Sequence, residues 1–212
     1  MPFHRPYAAD GANTIYNMTF ADTPELFDQD GAWQPELFAN ELDEDAVRAI
    51  AQEENTEARV RLLAFNRLRE EGREVPSRLV LGVIAEVPLE HGLDTLAAYA
   101  DGRVRYINQD GGMVFIEEDV TTLKPQVHAL FAAAQALVDR IGPWTEERLP
   151  PPRTRRVRLT FLGSDGLYFG EGDIADLTRD ELGGPVFNAA VQLLAGVVEF
   201  ASGDDDAAAG QS

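Results

Sequence analysis

Two Asp-Gly dipeptides, Asp101-Gly102 and Asp110-Gly111, stand nine residues apart between short β-rich runs. Asp-Gly supplies the backbone freedom that a tight antiparallel connection needs, so LDTLAAYA, RVRYIN and MVFIEE are predicted to be consecutive antiparallel strands. RLVLGVIAEV (78–87) precedes them. It is apolar almost throughout and stopped by Pro88, as expected of a strand covered on both faces.

Farther along, Thr121 or Thr122 is placed to cap a helix that tolerates Pro125 in its first turn. Leu123, Val127, Leu130, Phe131, Ala134, Leu137, Val138 and Ile141 recur at helical spacing until Gly142-Pro143 stops the pattern. A proline-rich connection, RLPPPRTRR, leads to strand RVRLTFLG, a turn at Ser164-Asp165-Gly166 and a partner strand LYFGEG. Gly183-Gly184-Pro185 opens a last helix, predicted to run through Ala201 with Phe187, Val191, Leu194, Val197 and Val198 inward. Residues 202–212 form a polar acidic tail, expected to be disordered. Consecutive strands with helices set apart place 76–201 in the α+β class, an antiparallel β-meander with packed helices. Profilin-like, roadblock-like and PAS-like modules share that order of elements, an analogy that carries no function.

Residues 1–75 read as an N-terminal helical arm. TIYNMTF (14–20) alternates Tyr16, Met18 and Phe20 with Asn17 and Thr19, which predicts a short strand. Two PELF units, at 24–27 and 35–38, read as anchoring turns or as docking motifs, and Asp22, Pro24 and Glu25 resemble a capping box. An acidic helix from Asp43 to Glu53 and a second, after Asn55 and running to about Glu71, are predicted to form a hairpin ended by Gly72.

Eighteen basic against 37 acidic residues leave a formal charge of −19. That field repels phosphate backbones and anionic lipid, so general nucleic-acid and membrane-surface binding are not expected; solubility and attraction to a basic protein remain as its uses. The absence of cysteine removes disulfides, thiol nucleophiles and thiolate metal sites. No run is read as approaching the roughly 18 apolar residues of a membrane helix, and MPFHRPYAADG lacks the apolar core of a signal peptide, so a cytoplasmic location is expected.

YINQDGGMVFIE (106–117) imitates a calcium loop, with Asn108, Asp110, Gly111 and Glu117 at the proper positions. Tyr106 and Val114 occupy two ligand positions poorly, and the flanks alternate as strands where such a loop needs helices. A hairpin turn is therefore expected, with no metal and no cofactor. His4, His91 and His128 are not spaced to share a metal. Gly163-Ser164-Asp165-Gly166 lacks the strand-elbow-helix setting of a serine nucleophile, and Gly183-Gly184-Pro185 lacks a phosphate-loop lysine. Glu117-Glu118-Asp119 suits the approach to a helix N-terminus.

Arg153, Arg155, Arg156 and Arg158 form the one basic cluster. If Val157, Leu159 and Phe161 point inward, Arg156, Arg158 and Thr160 share an exposed face, and Arg103 and Arg105 do the same in the meander. Such a face is either solvated or a docking site for an acidic segment or a phosphate. Trp144, beyond the helix stop, and Trp33, between the PELF units, read as core covers or anchors.

VRLLAFNRLR (60–69), LDTLAAYADGRVRYIN (93–108), RIGPW (140–144) and FLGSDGLYFGEG (161–172) together resemble an uncharacterised family of bacterial proteins. The resemblance implies a bacterial origin and a single continuous unit, and it brings no catalytic residues.

The expectation is a non-enzymatic cytoplasmic interaction or adaptor protein whose acidic surface steers toward a basic protein partner, an immunity-type inhibitor being the narrower form. Candidate binding residues are Arg156, Arg158, Tyr106, Tyr168 and Trp144. The alternative is a small-ligand sensor holding an apolar molecule on the sheet beside Tyr99, Tyr106 or Tyr168. A third is a hydrolase or transferase using Asp165, His91 or Glu117.

Overall fold

Gly102 and Gly111 adopt φ of 89° and 84°, so both Asp-Gly sites turn the chain as their chemistry dictates. In the computed structural model, which describes residues 3–27, 34–117 and 120–209 with side chains as far as Ser202, the strands form one antiparallel sheet. They are β1 (Val80–Pro88), β2 (Leu93–Tyr99), β3 (Val104–Ile107), β4 (Met113–Ile116), β5 (Arg156–Gly163) and β6 (Gly166–Asp173), in the order β4-β3-β2-β1-β5-β6. The meander accounts for one half of that order. The hairpin of β5 and β6 returns to the free edge of β1, which becomes central and is buried on both sides, as its apolar run requires.

Helices cover both faces. On one side α5 (Lys124–Val138) and α7 (Gly183–Ala209) bring Val127, Leu130, Val186, Leu193 and Val197 onto Val83, Leu96, Val104, Leu159 and Phe161. On the other, α1 (Asp10–Thr19), α3 (Glu44–Gln52) and α4 (Ala58–Glu70) meet Leu81, Ile84, Ala97, Tyr99 and Leu162 with Tyr16, Val47, Leu63, Phe65 and Leu68. The PELF units form a 3₁₀ turn (Pro24–Leu26) and the one-turn α2 (Pro35–Phe38). A further single turn, α6 (Ile174–Leu177), follows β6, capped by Asp173 on the Ala175 N–H at 3.1 Å.

TIYNMTF is not the expected strand but lies largely within α1, where Ala12, Asn13, Tyr16 and Asn17 are buried. Tyr16 and Phe20 fit both a two-residue and a four-residue repeat, and seven residues are too few to separate the two. Neither Thr121 nor Thr122 caps α5; Leu123 holds that position without a side-chain bond.

In α7 the inward residues are Val186, Ala190, Leu193 and Val197, while Val191 and Val198, expected inside, are half exposed. A helix apolar nearly all round carries little phase information. Contrary to the expectation that no run reaches such a length, Gly183–Ser202 is long and apolar enough to cross a membrane, the one such helix among the described residues; its inner side belongs to the core. The helix continues to Ala209, through part of the tail expected to be disordered. Trp33, Glu118 and Asp119 lie outside the described residues.

Candidate functional site

Register places Glu86 of β1 between Thr95 of β2 and Arg158 of β5, with Glu171 of β6 beyond Arg158. Four strands thus carry one polar row. The N-terminal segment and the connection before β5 lie over it. Tyr16 Oη donates to Glu86 Oε1 at 2.7 Å, and the hydroxyls of Tyr7 and Thr95 share a hydrogen bond of 2.8 Å. Arg158 donates to Glu171 Oε2 through Nε (2.9 Å) and Nη2 (2.6 Å), and through Nη1 to the Pro150 carbonyl at 2.7 Å.

Arg158 and Thr160, expected on an exposed face, are therefore buried. Arg156 stays exposed at the strand end, bonded to Glu171 Oε1 at 3.2 Å. Arg105 is likewise buried, not exposed: it bonds Glu117 at 2.9 Å and lies against the Phe115 ring. Alternation marks which residues share a face, but it does not say whether water or a polar cover meets them. Burial is the main force on Glu86 and pushes its carboxyl above the usual range, opposed by the Tyr16 hydrogen bond and by Arg158 and Arg148.

Arg148 anchors the cover. Its Nε donates to Asp22 Oδ2 at 2.6 Å, its Nη2 to Asn17 Oδ1 at 3.0 Å, and its guanidinium carbon sits 4.0 Å from the Phe20 ring centroid. Asp22, which resembles part of a capping box, is thus the partner of Arg148; Thr23 occupies the cap position of the 3₁₀ turn.

A cleft of about 350 Å³ opens beside this knot, between α4, the β5–β6 turn and the segment from Pro143 to Arg148. Trp144 forms one wall. Its backbone N–H donates to the Leu167 carbonyl at 2.6 Å, its indole N–H to the Glu147 carbonyl at 3.0 Å, and its ring meets Phe169 edge-on at 5.0 Å. Arg69 of α4 reaches into the cleft and donates through Nη2 to Asn66 Oδ1 at 2.6 Å. Gly166 turns beneath it at φ 146°, where a Cβ would stand 3.1 Å from Arg69 Nη1. Burial holds the Arg69 guanidinium below its ordinary range, with Asp165 opposing that shift.

The tyrosines expected to flank a ligand bond groups of the protein itself. Tyr168 is fully buried and donates to both carboxylate oxygens of Asp165 at 3.0 Å, and Tyr99 donates to the Thr19 carbonyl at 2.8 Å. Tyr106 is half-buried and donates to Asp94 Oδ2 at 3.0 Å; the space beside it measures about 30 Å³. That volume suits water and not an organic ligand.

Asp165 borders the cleft beside Trp144, while His91 lies in the β1–β2 turn and Glu117 beyond β4, and none of the five principal cavities is lined by two of them. YINQDGGMVFIE is a strand, a turn and a strand, in which Asn108 Oδ1 accepts from the Asp110 N–H (3.0 Å) and the Gly112 N–H (2.8 Å).

Arg69 was not singled out from the sequence. Its signal was position: it follows Leu68 at the margin of the buried stripe of α4, three residues after Asn66, where a long polar side chain reaches a neighbouring element. In comparison with known proteins, no family model, no curated protein and no solved structure matches the chain.

Proposed function

We propose that the protein is a non-enzymatic interaction or adaptor protein of the cytoplasm, docking a basic protein partner on the acidic side formed by α2 and α3. Eight carboxylates and a single arginine lie between Gln34 and Glu57, and this imbalance carries the reading. That arginine, Arg48, is already bonded to Glu44 at 2.7 Å. Val47 and Ala51 hold the inner face of α3 in the core, and Glu41, Asp45, Glu53 and Glu54 are exposed, with no ion pair among the described residues. Unneutralised like charges repel one another, and a basic surface would relieve that strain while speeding encounter.

The filled sheet faces and the separation of Asp165, His91 and Glu117 support this reading over an apolar ligand on the sheet or a catalytic site. General nucleic-acid binding does not fit a charge of −19. An immunity-type inhibitor of a basic toxin is the narrower form.

The test compares the wild type with a Glu41→Gln, Asp45→Asn, Glu53→Gln, Glu54→Gln variant, each immobilised and exposed to lysate. A basic protein retained at low salt, released at high salt and lost by the variant is the expected result. Retention by neither protein, or equally by both, contradicts the proposal.

A further inference from the structure

The cleft beside Trp144 contains a cation, Arg69, that makes no direct ion pair among the described residues, although the charges of Asp165 and Glu70 act on it. The four buried arginines are each ion-paired: Arg59 with Glu57, Arg105 with Glu117, Arg148 with Asp22 and Arg158 with Glu171. Arg69, half-buried on the cleft wall, makes no ion pair among the described residues. Its Nη2 meets a neutral amide, and its buried Nε has no hydrogen-bond partner. Asp165, on the same wall, is turned to the Tyr168 hydroxyl.

Apolar surface from Phe20, Leu62, Leu162 and Trp144 lines part of the remainder, beside the ion pair of Arg148 and Asp22. The volume of about 350 Å³ falls at the small end of the range of organic-ligand sites, roughly 300–1,000 Å³. An N–H edge of a guanidinium is shaped for a carboxylate, which it can grip through two parallel bonds. Glu146 and Asp165 also border the cleft and disfavour a doubly charged phosphate, so a monoanion fits best.

We propose that this cleft binds a small carboxylate-bearing molecule, its acid group on Arg69 and its apolar or aromatic body against Trp144 and Leu162. The site uses none of the residues of α3 and stands independently of the docking role.

Trp144 is the reporter. In a Trp33→Phe background it is the sole tryptophan of the two in the chain, and its emission is followed during titration with phenylacetate, phenylalanine or phenethylamine. Both acids should shift the emission saturably, and the amine should not. Arg69→Met should weaken the response at least tenfold, with Arg69→Lys between it and the parent. Circular dichroism reports whether each variant folds. If Arg69→Met does not fold, Overhauser contacts from the phenylacetate ring decide the matter in the parent: contacts to the Trp144 indole support the site, and contacts elsewhere or none overturn it. No saturable response to either acid, an equal response to the amine, or a folded Arg69→Met protein that binds normally would each overturn it as well.

Discussion

Tyr16 Oη donates to Glu86 Oε1 across 2.7 Å, joining the first helix to the central strand through a buried carboxylate. The ring packs edge-on against Phe20 and Tyr7, so phenylalanine preserves the packing and removes only the donor. Tyr16→Phe should therefore lower unfolding free energy by about 1–3 kcal/mol, the cost of leaving a buried acceptor unsatisfied. Denaturant titration measures it; no loss would mean that Glu86 is served by another donor.

Glu86 also gives stability a pH dependence. Its carboxyl is held above the ordinary range by burial, facing Tyr7, Tyr16, Arg148, Arg158 and Glu171. The folded state then binds this proton more tightly than the unfolded chain. Its contribution is greatest below the ordinary carboxylate pKa, declines as pH rises from there through the raised value, and is flat above both. Glu86→Gln should remove that part of the slope. Midpoints of chemical denaturation between about pH 4 and about pH 8 decide it, and identical slopes for the two proteins would contradict the assignment.

The two neighbouring arginines of β5 should behave oppositely. Removing Arg158 strips the buried row of its cation beside Glu86 and Glu171, so Arg158→Ala should cost about 3–5 kcal/mol. Arg156 stands at the exposed strand end, and Arg156→Ala should cost under about 1 kcal/mol. Equal losses would indicate that the cover over the row is open in solution.

All five tyrosines have hydroxyls pushed upward, chiefly by burial: Tyr106 and Tyr168 to about 12, and Tyr7, Tyr16 and Tyr99 further. Phenolate absorbance in the native protein should stay small through about pH 11, where a free tyrosine is mostly ionised, and rise mainly with unfolding. A tyrosine titrating reversibly near its ordinary value would contradict the packing described here.

The turn under Arg69 offers a local test. Gly166 has a φ of 146° and leaves 3.1 Å between a Cβ and Arg69 Nη1, so Gly166→Ala combines backbone strain with displacement of the guanidinium. A loss of about 1–3 kcal/mol is expected in thermal or denaturant unfolding, and an unchanged midpoint would argue against this turn conformation.

Much of the sheet was legible because its signals are local. Asp-Gly turns, the stop at Pro88 and the helical stripe from Leu123 to Ile141 each arise within a few residues. The covering of the second face was not legible. Glu86, Arg105 and Arg158 alternate as they would in water, and their partners Tyr16, Glu117 and Glu171 stand 70, 12 and 13 residues away in sequence. Trp144 was singled out and does line the cleft, but Arg69 gained its setting only when α4 met the β5–β6 turn. The phase of α7 failed for a different reason, since an apolar residue on every side leaves the inward direction to tertiary packing.

The acidic docking role is tested most directly by the rate at which the captured basic partner associates with wild-type protein and with the variant neutralised at Glu41, Asp45, Glu53 and Glu54. Steering through these carboxylates predicts a wild-type association rate at least about tenfold higher at low salt, falling toward that of the variant as salt rises, while the variant changes little. Equal rates for the two proteins across the salt series would contradict it.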